Sequence, residues 1–120
     1  MTAGTHPLPN STETMGGWRE IPPGAVAHKL ETVRLVDVRE PSEFTGNLGH
    51  ILGAELVPLA TVGDAARAWD RKQPVLLICR SGGRSAGASR ILRELGFETV
   101  YNMTGGMLAW NELALPVERA

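Results

Sequence analysis

The chain has 120 residues, of which 42% are hydrophobic and 21% are charged, and its formal net charge is -1. This length suits one domain with a sizeable core, and the nearly balanced charge gives no indication of nucleic-acid or membrane binding. A single cysteine cannot form an internal disulfide, so the composition suits a reducing compartment, and we expect a cytoplasmic protein.

The first seventeen residues are rich in Thr, Pro, Gly and Ser and contain no apolar signal-peptide core. Such a segment buries little surface that could offset the entropy of ordering it. We therefore expect a flexible N-terminal tail over residues 1–17 and a single domain over residues 18–120.

The remainder of the chain alternates between strand and helix patterns. Prolines at positions 22 and 23 start a short first helix, and buried strands are predicted at 33–38, 54–57, 74–78 and 99–101. Helical patterns cover 41–44, 59–69, 86–95 and the segment from 107 to just before Pro116. This alternation predicts an α/β fold with a mostly parallel sheet that helices cover on both faces.

The only cysteine, Cys79, directly follows the apolar segment 74–78. It therefore lies at the carboxyl end of a strand, where the active sites of parallel sheets are found. The six residues after it are the candidate substrate-binding residues: Arg80, Ser81, Gly82, Gly83, Arg84 and Ser85. Without a proline, every one of them offers an amide N–H, and the two glycines let the backbone bend around an anion.

The same segment favours the ionised form of Cys79. The N-terminus of the following helix and the permanent charges of Arg80 and Arg84 stabilise a thiolate over a thiol. We therefore predict that Cys79 is a catalytic nucleophile. A small buried apolar residue is the simpler alternative, but it would need neither arginine. Because Arg84 falls at the helix start, we expect it, rather than Arg80, to face the site.

Residues 79–85 resemble the active loop of the rhodanese family of sulfurtransferases. Three further segments resemble family signatures in the same order, namely 35–44, 49–54 and 104–110. The chain departs from the pattern at Leu52, where proline is usual, and in a longer spacer at 45–48. The resemblance implies a three-layer α/β/α domain whose central, mostly parallel sheet has about five strands.

The resemblance also implies a sulfur-transfer reaction. Thiosulfate, a small anionic donor, would give its outer sulfur to Cys79 to form a persulfide, and cyanide or a thiol would then accept that sulfur. No metal or organic cofactor is required. The three histidines, His6, His28 and His50, are scattered and lack a partner cysteine, which argues against zinc. We expect a monomer or a weak dimer.

Two other functions fit the same residues. The first alternative is a phosphatase or an arsenate reductase. Related dual-specificity phosphatases have one more residue between cysteine and arginine, whereas here Cys79 and Arg84 bracket four residues, which favours sulfur transfer. The second alternative is a sulfur-carrier module that a partner protein persulfidates and that docks to an acceptor protein. The sequence does not separate this module from a free-standing enzyme.

Three more residues are possible supporting members of the site. Asp37 and Arg39 end a strand at the same edge as Cys79, and an ion pair that braces the loops is the favoured interpretation. His50 could donate a proton near neutral pH, but we favour a loop residue that is hydrogen-bonded locally.

Overall fold

A six-stranded sheet forms the centre of the computed structural model, which describes residues 6–120. The strands are β1 (Thr12–Glu13), β2 (Arg19–Ile21), β3 (Arg34–Asp37), β4 (Glu55–Leu56), β5 (Val75–Ile78) and β6 (Val100–Met103). The helices are α1 (Pro23–Val26), α2 (Pro41–Phe44), α3 (Leu59–Ala66), α4 (Gly83–Glu94) and α5 (Gly106–Glu112), with a 3-10 helix at Leu30–Thr32.

The strand order is β1-β2-β6-β5-β3-β4. Every neighbouring pair is parallel except β1 with β2, which is antiparallel. The predicted α/β class and mostly parallel sheet are therefore confirmed. The sheet has one strand more than the expected number, because β1 adds a short edge strand outside β2.

The side chains of β5 show why this strand lies at the centre. Val75 and Leu77 face the layer that contains α3 and α4, while Leu76 and Ile78 face the layer that contains α1 and α5. All four are fully buried, as expected for a parallel strand covered on both faces. The alternation continues to Cys79, which packs on the side of α3 and α4.

The predicted flexible tail over residues 1–17 needs correction in the part that the structure describes; the first five residues lie outside it. Strand β1 pairs with β2 after a tight turn in which the amide and hydroxyl of Thr14 both donate to the Trp18 carbonyl at 2.8 Å. The Leu8 amide also donates to the Tyr101 hydroxyl at 3.0 Å. The turn-forming residues that predicted a tail here form the turn of a β-hairpin. A strand of two residues is too short to show the apolar–polar alternation that would identify it.

Strand β2 was also absent from the prediction, because its three residues include two charged ones, Arg19 and Glu20. Parallel pairing with β6 places Glu20 directly beside Asn102. Among the described residues, none of the helices combines the length and apolar character needed to cross a membrane.

Candidate functional site

Cys79 lies in the turn between β5 and α4, and its side chain is 1% exposed. The helix begins at Gly83, so part of the predicted loop is already its first turn. Two residues one turn apart, Ala88 and Leu92, are fully buried and anchor α4 to the sheet. The segment 79–85, called here the Cys79 loop, is therefore held between two buried elements.

Gly82 gives the loop its shape. Its φ of 105° lies in the left-handed region that residues with a side chain rarely adopt. In this conformation its amide donates a hydrogen bond to Cys79 Sγ over 3.0 Å. A Cβ on the neighbouring Gly83 would meet no heavy atom within 4 Å, so that position leaves open space.

Hydrogen bonds to Sγ set the ionisation of Cys79. Burial raises the pKa of the thiol, because a thiolate is poorly solvated inside the protein. The Ser85 hydroxyl, 3.2 Å from Sγ, and the amides of Ser85, Gly82 and Ser81 act in the opposite direction. Their combined effect exceeds that of burial, so the pKa of Cys79 lies below its ordinary value.

The N-terminus of α5 fixes the opposite side of the Cys79 loop. The amides of Met107 and Leu108 donate to the carbonyls of Cys79 and Arg80 at 2.9 and 3.0 Å. This close approach requires Gly106, where a Cβ would lie 2.5 Å from both of those carbonyl oxygens. The loop carbonyls are thus bound by α5, whereas the Gly82 amide is left to face the sulfur.

The two loop arginines have different surroundings. Arg84 binds Glu43 of α2 through two hydrogen bonds of 2.7 and 2.8 Å. The Arg84 hydrogen bond, against a smaller opposing effect of burial, lowers the pKa of Glu43 to about 2. Arg80 is exposed, as expected, and makes no ion pair within residues 6–120. We expected Arg84 to be the arginine that faces the site, but its charge is already matched by a carboxylate.

A cleft of about 390 Å³ lies between Arg80 of the Cys79 loop and the segment 42–48. It is lined by Ser42, Glu43, Gly46, Asn47, Leu48 and Arg80. Gly46, Asn47 and Leu48 belong to the spacer at 45–48, which is longer than in the family pattern. Glu43 therefore faces both Arg84 and the cleft.

Asp37 and Arg39 form a buried ion pair with side chains that are 0% and 1% exposed. Two hydrogen bonds of 2.9 and 2.8 Å join the guanidinium to the carboxylate. Arg39 also donates to the carbonyls of Glu43 and Gly49 at 3.2 and 2.7 Å. The pair braces the segment that carries Glu43. This geometry agrees with the interpretation that Asp37 and Arg39 form an ion pair that braces the loops.

His50 is likewise engaged by its own loop. Its ring stacks on Phe44 with centroids 3.6 Å apart, and its Nδ1 lies 2.7 Å from the Phe44 carbonyl oxygen. These contacts agree with the local hydrogen bond that we favoured for His50. Within residues 6–120, no three His, Cys, Asp or Glu side chains are grouped so as to hold a metal ion.

Sequence reasoning missed a chain of buried and half-buried polar side chains that leads to Cys79. Ser85 contacts Asn102 of β6, and Asn102 in turn contacts Glu20 of β2. Trp18 donates its indole N–H to Glu20 at 2.6 Å and completes the chain. An asparagine within an otherwise apolar strand was the available signal, since a buried amide requires partners.

Comparison with known proteins gives this site a family context. The family model described as "Rhodanese-like domain" matches residues 23–113. Over 80 residues the chain is 38% identical to "Thiosulfate sulfurtransferase GlpE" of Pseudoalteromonas translucida, and the match covers 67% of this chain and 74% of that protein.

Two further relatives agree with this match. The "Uncharacterized protein YqhL" of Bacillus subtilis is 42% identical over 64% of this chain, and the chain spans 60% of that protein's length. The crystal structure of a rhodanese-related protein from Thermoplasma volcanium superposes with a TM-score of 0.77. It is 28% identical, and the match covers 86% of this chain and all of that one.

Proposed function

The chain belongs to the rhodanese-like domain family, and on that premise we propose that it is a sulfurtransferase that carries sulfur on Cys79. The donor is a small anionic sulfur compound such as thiosulfate, and the acceptor is a thiol or cyanide. One observation carries the proposal: the only cysteine is a buried sulfur that accepts hydrogen bonds from a loop amide and a hydroxyl. A structural thiol has no need of donors that stabilise its anion.

In the first step, the Cys79 thiolate attacks the outer sulfur of thiosulfate. A sulfur–sulfur bond forms to Sγ, and the bond between the two thiosulfate sulfurs breaks with its electron pair leaving on sulfite. The thiolate and the thiosulfate dianion thus become a persulfide anion and a sulfite dianion. Total charge is conserved, and no external oxidant, reductant or proton is needed.

In the second step, the acceptor attacks the outer sulfur of the persulfide. Cyanide takes that sulfur as thiocyanate, and the electron pair of the broken bond returns to Sγ, which restores the thiolate. A thiolate acceptor reacts in the same way and becomes a persulfide itself. Neither step calls for a metal or an organic cofactor.

The Cys79 loop supports both steps electrostatically. The amide of Gly82 donates to the sulfur from a fixed position in the backbone, so it holds negative charge there without having to reorient as bulk water would. The Ser85 hydroxyl adds a second donor at 3.2 Å. Arg80, exposed at the mouth of the loop, attracts the anionic donor. The helix N-terminus at Gly83 adds a partial positive charge on the same side.

The test is thiocyanate formation from thiosulfate and cyanide. We expect the wild-type protein to be active and Cys79→Ser and Cys79→Ala to be inactive while they keep the wild-type circular dichroism spectrum. Thiocyanate production by folded Cys79→Ser would overturn the proposal. Faster hydrolysis of an aryl phosphate than sulfur transfer would favour the phosphatase alternative.

The ion pair between Glu43 and Arg84 also favours a sulfur-carrier role. Because Glu43 matches the charge of Arg84, the site attracts a dianion less strongly than its two arginines suggest. A protein persulfide donor carries less charge and depends less on these arginines. Faster loading of Cys79 by a cysteine desulfurase than by saturating thiosulfate would support this role, which we place in a monomer or weak dimer in the cytoplasm.

A further inference from the structure

The side-chain amide of Asn102 has a defined orientation. Its nitrogen lies 3.2 and 3.1 Å from the two carboxylate oxygens of Glu20 and 3.1 Å from the carbonyl oxygen of Gly82. These groups only accept hydrogen bonds, so the donating nitrogen must face them. The Asn102 oxygen therefore faces Ser85, and it can only accept.

The Ser85 hydroxyl consequently has one proton and two acceptors. Its oxygen lies 2.5 Å from the Asn102 oxygen and 3.2 Å from Cys79 Sγ. Ser85 is 0% exposed and Asn102 is 2% exposed, so both are removed from bulk water. The proton can serve only one of these acceptors at a time.

We propose that the Ser85 hydroxyl turns between Asn102 and Cys79 as the charge on the sulfur changes, and that Asn102 is a positioning residue that favours the persulfide over the thiolate. This inference rests on the proposed sulfur transfer through Cys79. It assigns a role to a residue of β6 that contacts neither the sulfur nor the donor.

The argument compares three states of the sulfur. In the thiol, Cys79 donates to the Ser85 oxygen, and Ser85 donates to Asn102, so every group is satisfied. In the thiolate, Sγ needs a donor, Ser85 turns to it, and the buried Asn102 oxygen loses its partner. In the persulfide, the negative charge moves to the outer sulfur, Sγ becomes a weak acceptor, and Ser85 returns to Asn102. Loading the sulfur thus restores one hydrogen bond.

Asn102 is uncharged, so replacing it removes none of the charged groups around Cys79. They are Arg80 on the Cys79 loop, Arg84 at the start of α4, Glu43 on α2 beside Arg84, Glu20 on β2 at the far end of the polar chain, and Asp37 of β3, which is bound to Arg39. Asn102 also contacts Gly82 and Glu20, so a double-mutant cycle with Ser85 is needed to identify the part of a pKa change that acts through the Ser85 hydroxyl.

The first experiment is a double-mutant cycle with Asn102→Leu, Ser85→Ala and the double variant, in which the pKa of Cys79 is measured by thiolate absorbance and alkylation rate. Asn102→Leu removes the competing acceptor, so we expect the pKa to fall by about 0.4 to 1 unit. Ser85→Ala should raise it. The double variant should match Ser85→Ala, because Asn102 acts only through the hydroxyl.

A purely structural role for Asn102 gives the opposite result. If its bond to the Gly82 carbonyl only holds the loop, Asn102→Leu will misalign the Gly82 amide and raise the pKa, with or without Ser85. Either a higher pKa or an equal effect in the Ser85→Ala background would overturn the inference. Asn102→Ala, which avoids added branching, provides the same comparison if the leucine variant does not fold.

The second experiment measures the loading equilibrium itself. Protein is incubated with fixed ratios of thiosulfate to sulfite, and the persulfidated fraction is read by intact-mass spectrometry. Asn102→Leu should lower the loading equilibrium constant about two- to tenfold, which corresponds to one hydrogen bond. An unchanged or higher constant contradicts the inference. If wild-type protein gains no sulfur from thiosulfate or from a persulfide donor, the proposed function fails instead, so the two failures are distinguishable.

Discussion

Glu43 and Arg84 join α2 to the first turn of α4 through a two-pronged ion pair with distances of 2.7 and 2.8 Å. The two side chains are 28% and 38% exposed, so the pair is reached by solvent and by ligands. An ion pair that is this exposed typically stabilises a fold only modestly. Its main consequence is electrostatic, because one of the two loop cations is matched before any donor binds.

Replacing Glu43 with glutamine should release this cation toward the donor. The carboxylate is ionised at neutral pH, since the pKa of Glu43 is lowered to about 2, so the substitution removes a full negative charge. We expect kcat/KM for thiosulfate to rise about two- to tenfold in steady-state thiocyanate assays. The gain should shrink as salt concentration increases.

Glu55→Gln is the matched control. Glu55 also binds an arginine, Arg34, through two hydrogen bonds, of 2.7 and 3.1 Å. Arg34 lies at the start of β3, away from the carboxyl end of the sheet where Cys79 lies. This variant should leave thiosulfate kinetics unchanged. A decrease in kcat/KM for Glu43→Gln would show that the carboxylate helps rather than hinders the donor.

The reactivity of Cys79 should depend on pH in a defined direction. Because hydrogen bonds lower the pKa of the folded protein's thiol despite burial, iodoacetamide should react with a midpoint below that of the urea-unfolded chain. Ionisation also stabilises the fold at pH values above the unfolded pKa, and this contribution is lost as the pH falls through the folded pKa. Equal midpoints in folded and unfolded protein would refute this expectation.

Gly106→Ala should disrupt the Cys79 loop. A Cβ there would lie 2.5 Å from backbone atoms of Arg80, and the φ of 57° disfavours any side chain. We expect the free energy of unfolding, measured in urea, to fall by about 1 to 3 kcal/mol, together with a large loss of sulfur transfer. Gly87→Ala, at an exposed position of α4 with open space, should instead stabilise by about 0.4 to 1 kcal/mol.

The buried pair of Asp37 and Arg39 should contribute to stability rather than to chemistry. Asp37→Asn leaves the Arg39 charge buried without its partner, and we expect the free energy of unfolding to fall by about 3 to 5 kcal/mol. The residual folded protein should still accept sulfur on Cys79. Glu55→Gln, which breaks an exposed pair, should cost no more than about 1 kcal/mol. Equal losses in the two variants would contradict a bracing role for Asp37.

Local pattern was sufficient to predict most of the sheet and the position of Cys79. Strands such as β5 are continuous apolar runs, and the apolar stripe containing Ala88 and Leu92 identifies α4. Such patterns give the order of these strands and helices along the chain. Strands β1 and β2 were missed because they are short and polar. They are stabilised by pairing, β1 with β2 and β2 with β6, rather than by their own composition.

The site was predictable in its centre but not at its periphery. Cys79 and its hydrogen bond with Gly82 follow from residues adjacent in sequence. The partner of Arg84 lies 41 residues away, and the link from Ser85 to Asn102 spans 17 residues. Such contacts depend on how α2 and β6 pack, which periodicity does not specify.

Intact-mass and peptide mass spectrometry after incubation with thiosulfate tests the central claim most directly. We predict that the protein gains the mass of one sulfur atom, that the gain maps to Cys79, and that cyanide removes it with formation of thiocyanate. Folded protein that gains no sulfur on Cys79 from either thiosulfate or a persulfide donor would contradict the account.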